Sequence, residues 1–314
     1  MGRYLLRRLL HTVLAMLGVS IGVFLIMHLV PGDPIRLALG TRFDPEVYQA
    51  LRSRAGLDRP LLAQYGTWLS HAVTGDFGVS FRSGQPVGEL LWQRLGPTAT
   101  LAGAALLVAL SIALPVGILS AVWSGSVIDR IATALSQLWV SVPDFWSGIM
   151  YILLFALVLG WLPASGYVSP LDDPVQALRH LVLPALTVGL ISGSILTRFV
   201  RSAVLEALNQ DYTRTARAKG LSRWQTVRRH VLPNAWIPIV TVAGLQLGFL
   251  LGGVVVVEVI FEWPGLGRLA YDAVIRRDYS LLQGAVLVIA TVFLTINLFV
   301  DILCGYLDPR VRRP

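Results

Sequence analysis

Cysteine and lysine are all but missing from this chain: Cys304 and Lys219 are the sole examples of their kinds. One cysteine excludes an intramolecular disulfide and gives no thiol pair for redox chemistry. One lysine, followed by Gly220 where Ser or Thr would be needed, excludes a phosphate-cradling loop of the Gly-x-x-x-x-Gly-Lys-Ser/Thr kind, so ATP hydrolysis by that route is ruled out. The five histidines, His11, His28, His71, His180 and His230, stand without metal-ligand spacing. These gaps predict a chain with no catalytic residues, no metal and no cofactor of its own. Charge is scarce as well. Only 14% of the 314 residues are charged against 55% hydrophobic, a balance that excludes an ordinary water-soluble domain.

What is abundant is the long apolar run. Six stretches, 9–30, 98–123, 131–159, 181–204, 236–260 and 281–306, carry almost no charge and are long enough to cross a hydrocarbon core of about 30 Å. They predict an all-α polytopic membrane bundle of six transmembrane helices. The first run follows Arg3, Arg7 and Arg8 but is too long for a signal core and lacks a small-residue cleavage site, so it reads as a retained anchor.

Lys and Arg resist translocation, and they set the orientation. With the N-terminus in the cytoplasm, 15 of the 26 Lys and Arg lie on the inner side, and short outer loops hold only Arg179, Arg268, Arg276 and Arg277. The net charge of +8 is therefore accounted for without a nucleic-acid partner. The resulting layout is a cytoplasmic N-terminus and first span over 1–30, an extracytoplasmic helical insertion over 31–96, the remaining spans over 97–306 with a cytoplasmic hairpin at 206–235, and a cytoplasmic tail over 307–314.

The outer insertion carries helix punctuation. Asp44, Pro45 and Gly56 frame one short helix, Asp58, Pro60 and Gly75 a second, and "SGQPVGELLWQRLGP" a third that leads into span two. Tyr65, Trp68 and Leu69 give the second an apolar side. Within the spans, Gly244, Gly248 and Gly252, and Gly189 with Gly193, recur at i, i+4 and predict close helix approach. Pro115, Pro143 and Pro184 interrupt three spans and permit bends. Asp144, near the middle of span three, is a candidate for the lining of a polar pathway or for bonding to backbone freed by Pro143. Glu258, toward the outer end of span five, and Gln246 are weaker pathway candidates, and Asn297 and Asp301 read as glue between helices.

Between spans four and five lies "DYTRTARAKGLSRWQTVRRHVLPNA", a basic insert that divides into two helices. Asp211 caps the first, which ends at Gly220 in the left-handed C′ position. Ser222 and Gln225 form a capping box for the second, whose apolar side is Trp224, Val227 and Val231 and which Pro233 stops. Ala216, Ala218 and Gly220 form a small-residue knob. Such a hairpin suits an anionic bilayer surface or a groove on another protein equally well.

The spacing from Gly220 to Leu232 and Pro233 resembles the cytoplasmic loop of ATP-binding-cassette importer permeases that seats in the ATPase, although Arg214, Thr215 and Ala216 stand where that loop has Glu-Ala-Ala and His230 replaces an aliphatic residue. "YTRTARAKG", "HLVPGDP", "GLDRPLLAQYGTWL", "GDFGVSF", "EVIFEWPGLGRLAYDAVIRRDY" and "LDPRVR" together resemble the dipeptide and oligopeptide permeases over nearly the whole chain. The resemblance implies a homologous second permease, two cytoplasmic ATPases that hold the ATP and Mg, an extracytoplasmic substrate-binding protein, and import of dipeptides or oligopeptides, with nickel chelates, haem or glutathione as alternative cargo. It implies docking through Arg214, Thr215, Ala216, Arg217, Ala218, Lys219, Gly220 and Leu221. The competing class is a membrane enzyme or sensor that works through the outer loop and whose hairpin only holds lipid.

Overall fold

The computed structural model describes residues 2–29, 46, 49, 58–80 and 82–307, and among these the chain is helical apart from its turns and one isolated bridge, Val79 to Pro86. In chain order the helices are α1 (Gly2–Leu29), α2 (Leu61–Val73), α3 (Val87–Val122), α4 (Val127–Ser141), α5 (Asp144–Tyr151, prolonged by π turns over Ile152–Val158) and α6 (Pro174–Leu208). They continue with α7 (Asp211–Ala218), α8 (Arg223–Thr226, prolonged by a π turn over Val227–Val231), α9 (Leu232–Gly253), α10 (Val255–Ile260), α11 (Leu266–Arg276) and α12 (Tyr279–Leu307). Five of the described helices are long and apolar enough to cross a bilayer: α1, α3, α6, the run through α8 and α9, and α12; α4 and α5 make a sixth crossing if that bent pair counts as one span. A helix satisfies its own backbone, the condition for any span in lipid.

Span three takes the bend that Pro143 permits, and takes it sharply. α4 and α5 meet at 97°. The cause is local: a residue before proline is pushed to extended backbone, and Val142 (φ −84°, ψ 126°) and Pro143 (φ −60°, ψ 138°) are both extended, so two residues in succession leave the helix. Elsewhere proline does not end the helix. α3 runs through Pro97 and Pro115, so the third outer helix and span two are one element, and α6 runs through Pro184. Span five ends early, at Gly253; Val254 (φ −87°, ψ 27°) separates it from the short α10.

α2 starts at Leu61 after Pro60 and closes at Gly75, whose φ of +83° is the left-handed geometry that glycine tolerates. Its apolar side lies on α1: the Tyr65 ring meets Phe24 edge-on at 5.4 Å, Trp68 lies 6.0 Å from the same ring, and the Ser20 and Tyr65 hydroxyls share a hydrogen bond of 2.8 Å. The helix expected from Asp44 to Gly56 lies outside the described residues, except Glu46 and Gln49, which are helical, and so does the tail beyond Leu307.

The core is the seam between α3 and α6, which run parallel and stay in contact along much of their length. A Cβ placed on Gly189 would fall 2.7 Å from the Val108 side chain and 2.9 Å from the Ala105 carbonyl oxygen; at Gly193 it would meet Ala109 backbone at 3.2 Å, and at Gly117 the Val200 side chain at 2.8 Å. Gly248 makes the same approach to Asn297 Oδ1 and Phe293 on α12, and Gly244 to Val300. At the far end of that pair, Arg8 pairs with Asp301 at 3.0 Å and the Tyr4 hydroxyl donates to the Asp301 carbonyl, which brings the start of α1 beside the end of α12.

The seam makes a contrast between two glycines. Gly189→Ala should destabilise the chain by about 1–2 kcal/mol, because overpacking outweighs the better helix propensity of alanine. Gly103→Ala, on α3 with nothing within 4 Å of its added methyl, should be neutral or stabilising. The check is the temperature at which each detergent-solubilised variant loses monodispersity.

Candidate functional site

The basic insert folds as two short helices pinned from beneath. The N-cap of α7 is Gln210, and Asp211 is the first helical residue, its exposed carboxylate 3.6 Å from Arg214. Thr213, fully buried, donates to the Ala207 carbonyl at the end of α6, and Ala216 is buried beside it. Gly220, at φ +85°, turns the chain; the Ser222 hydroxyl accepts from the Gln225 N–H while the Gln225 side chain accepts from the Ser222 N–H, closing the capping box. Burial, and after it the Glu206 carboxylate, push the Tyr212 phenol above its usual range, so it remains a neutral group.

Two expectations about the second helix need correction. Trp224 does not join the apolar side; it is 55% exposed, while Val227 and Val231 are fully buried in one cluster with Ala121, Val122, Val200, Val204, Ala207 and Leu208. Nor does Pro233 stop the helix. The π turn over Val227–Val231 already widens the backbone ring, and a proline in the first turn of the α segment that follows has no N–H to lose and φ to match, so α8 runs on into α9.

What the hairpin leaves outside is a cationic rim. Arg214, Thr215, Arg217, Ala218, Lys219 and Gly220 are exposed and Leu221 is half-buried, with nothing within 4 Å of the space in front of Gly220. Arg223, Arg228 and Arg229 extend the rim, and the Arg223 guanidinium lies 5.9 Å over the Trp123 ring at the end of α3.

Directly behind the rim is a buried ion pair of which the sequence carries only a faint sign. Asp129, in the first turn of α4, is 5% exposed and accepts from Arg201 Nε at 2.6 Å and Nη2 at 2.8 Å. It also accepts from the Ser120 hydroxyl and, at 2.8 Å, from the Gly125 N–H. The pair thereby joins α3, α4 and α6. Ser126, which caps α4, and Asp129 stand in the spacing of a helix start, and that is the one local sign of the site.

The three pathway candidates are not brought together. Asp144 is half-buried at the start of α5, and its carboxylate accepts the Phe145 N–H at 2.8 Å beside the Pro143 break. Gln246 Nε2 donates to Ser192 Oγ at 3.0 Å, tying α9 to α6. Glu258 is not solvated at an interface: it is 1% exposed, and its oxygens accept from Thr98 Oγ1 (3.0 Å), from the Arg268 N–H (2.8 Å) and from the Gly267 N–H. Thr98 in turn accepts from the Leu266 N–H at 2.8 Å. A Cβ on Gly265 would collide with the carboxylate, so the glycines of "WPGLG" make room for it. Trp263 completes the latch: its indole N–H donates to the Pro97 carbonyl, its ring meets Tyr167 edge-on at 4.9 Å, and it lines an apolar cavity of about 160 Å³ with Leu178 and Leu181. Among the described residues no cluster of His, Cys, Asp and Glu could hold a metal ion.

Comparison with known proteins places this geometry. Residues 113–313 match the family described as binding-protein-dependent transport system inner membrane component, and residues 1–102 match the N-terminal family of the same membrane component. The chain is 39% identical to the dipeptide transport system permease protein DppB of Alkalihalophilus pseudofirmus, over 98% of this chain and 99% of the relative. It is 42% identical to the glutathione transport system permease protein GsiC of Salmonella typhimurium and 41% identical to that of Escherichia coli K12, over 98% of each chain. Inward-facing structures of the MetNI methionine ABC transporter share its fold, with TM-scores of 0.58 and 0.59 at 22% and 20% identity, over 70% of this chain and 96% of theirs.

The Glu258 latch makes its own prediction. Glu258→Ala strands two backbone N–H groups and the Thr98 hydroxyl, at a combined cost of about 3 kcal/mol or more. Limited proteolysis at Arg268, half-buried beside the latch in the parent, should become at least about tenfold faster, whereas Glu262→Ala, an exposed neighbour, should leave the rate unchanged.

Proposed function

The chain belongs to the binding-protein-dependent transport system inner membrane components and is a non-enzymatic permease subunit of an ATP-binding-cassette importer; from that premise we propose that the α7–α8 hairpin is where the ATPases drive it. Importers of this family work with permease, ATPase and substrate-binding partners in general. For this chain we assign a homologous second permease that completes the pathway, two ATPase subunits that hold the ATP and Mg, and a binding protein on the opposite face. The observation that carries the docking role is the division of the hairpin: Thr213, Ala216, Val227 and Val231 fix it to α3 and α6, while Arg214, Thr215, Arg217, Ala218, Lys219 and Gly220 face open space.

A rigid mount with an exposed cationic rim can pass a displacement inward, and it suits acidic groups on an ATPase surface. The hairpin, the start of α1 and the end of α12 belong to the cytoplasmic side in this reading, supported by the Arg8–Asp301 contact and by the excess of cations at that end. The segment 31–96 then faces outward as an insertion on the permease core. Of the pathway candidates, Asp144 keeps a partly open carboxylate at the bend of span three, whereas Gln246 and Glu258 engage their polar atoms in holding helices. Cargo is assigned to the class of short peptides, dipeptides or glutathione, on the strength of the relatives just named.

The test compares purified wild type with Gly220→Glu. Wild type should bring the second permease and the ATPases with it from native membranes. Gly220→Glu places a carboxylate and its bulk in the docking space, and it should lose the ATPases and uptake of labelled dipeptide or glutathione while remaining in the membrane at parental level. Gly220→Ala shares the backbone strain of a non-glycine residue at positive φ without the bulk, and should keep most of the association. Normal uptake by Gly220→Glu would overturn the assignment.

A further inference from the structure

We propose that the Asp129–Arg201 pair is the positioning joint through which movement of the hairpin reaches the broken third span. The inference rests on the docking role of the hairpin and extends it one step inward. Beside the Thr213 anchor and the continuous run into α9, two contacts of the hairpin lead to this pair. One is apolar: Val227 and Val231 pack with Val200 and Val204 of α6, and Arg201 sits between those two valines on the same helix. The other is cationic: Arg223 lies over Trp123, and Trp123 opens the turn whose Gly125 N–H and Ser126 hydroxyl serve the Asp129 segment. Asp129 has every oxygen occupied, by two N–H groups of Arg201, by the Ser120 hydroxyl and by the Gly125 N–H. A carboxylate held from three segments cannot shift against any of them without stranding a buried charge, so the start of α4 must follow α3 and α6.

At its other end α4 stops at Ser141, Val142 and Pro143 are extended, and α5 leaves at 97° toward α10, where Gly148 lies against the Phe261 ring. A displacement imposed at the hairpin is thus delivered to the bend carrying Asp144. Asp129 and Arg201 are positioning residues in this scheme and touch no cargo.

The test reads the bend and does not require the cargo to be known. Cys304 is buried, so a single cysteine introduced at the exposed Ser141 can be labelled against a low background. Ser141→Cys is purified with its ATPases and treated with a membrane-impermeant fluorescent maleimide, with and without ATP plus vanadate. Nucleotide should change the labelling rate about tenfold in this parent, within the usual range of coupling between sites. Adding Asp129→Asn, or Trp123→Ala at the exposed ring, should reduce that response to less than about twofold while the ATPases still co-purify and hydrolyse ATP; Asp129→Glu should retain it. Arg201→Lys, which keeps the charge but loses the two-pronged contact, should give an intermediate response and replaces Asp129→Asn if that variant fails to assemble.

A full nucleotide response in Trp123→Ala and Arg201→Lys would overturn the joint, as would a Ser141→Cys parent whose ATPases co-purify but whose labelling ignores nucleotide. Absence of the ATPases from the parent itself would be a different result, because it removes the docking role on which the joint depends.

Discussion

α3 and α6 approach each other closely enough that a methyl group has no room at Gly117, Gly189 or Gly193, and the rest of the bundle is arranged around that seam. In lipid there is no apolar driving force to press two helices together, because hydrocarbon solvates leucine as well as a neighbouring helix does, so the contact must come from backbone proximity and shape. Small residues on one face provide it. With the seam fixed, α3 offers two fixed points, and each holds a buried carboxylate from elsewhere in the chain: Asp129 at Ser120, near its end, and Glu258 at Thr98, within its first half. The segments they hold are the start of α4 and the α10–α11 turn.

The irregular backbone is confined to places where other groups satisfy it. Val142 and Pro143 form a bend whose next amide is taken by Asp144, and the turn after α10 is stitched by Glu258 and Thr98. Non-helical backbone at membrane depth is tolerated only when buried in protein or lining a polar space, and both breaks meet that condition through side chains a few residues away or across the bundle. The π turn over Val227–Val231 is a third device of this sort, letting a basic hairpin and an apolar span share one continuous helix through Pro233.

This anatomy explains which features the sequence announced. Periodic or local signals carried through: the apolar runs became helices, although those of spans three and five are broken, and the glycines of α6 and α9, the Ser222–Gln225 capping box and the left-handed Gly220 depend on residues within one or two turns. Punctuation was less reliable where tertiary contacts compete with it. Gly96 and Pro97 read as a helix end but lie inside α3, because Leu91 and Val87 pack into a cluster with α11 and α12 that keeps the helix going. Trp224 read as core by its spacing with Val227, yet the π turn changes the register and leaves the ring outside. Least legible were the two latches. Asp129 and Arg201 are 72 positions apart and Thr98 and Glu258 are 160 apart, and a single sequence gives no reason to pair them.

The same accounting of polar partners separates groups that hold this protein together from groups free to meet another. Arg201 commits its guanidinium to Asp129 in a partly buried two-pronged contact, where a broken pair would leave the buried Asp129 carboxylate uncompensated. Arg214 has only an exposed carboxylate at 3.6 Å, a contact that water and salt weaken, and among the described residues no ion pair engages Arg217, Lys219, Arg228 or Arg229. An internal cation of the first kind cannot be recruited by a partner without unfolding the joint, whereas an external cation of the second kind loses little when one arrives. Because both kinds stand on either side of one short hairpin, with Trp123 and Arg223 between them, the proposed docking of a partner on the outer set would bear on the structure held by the inner set.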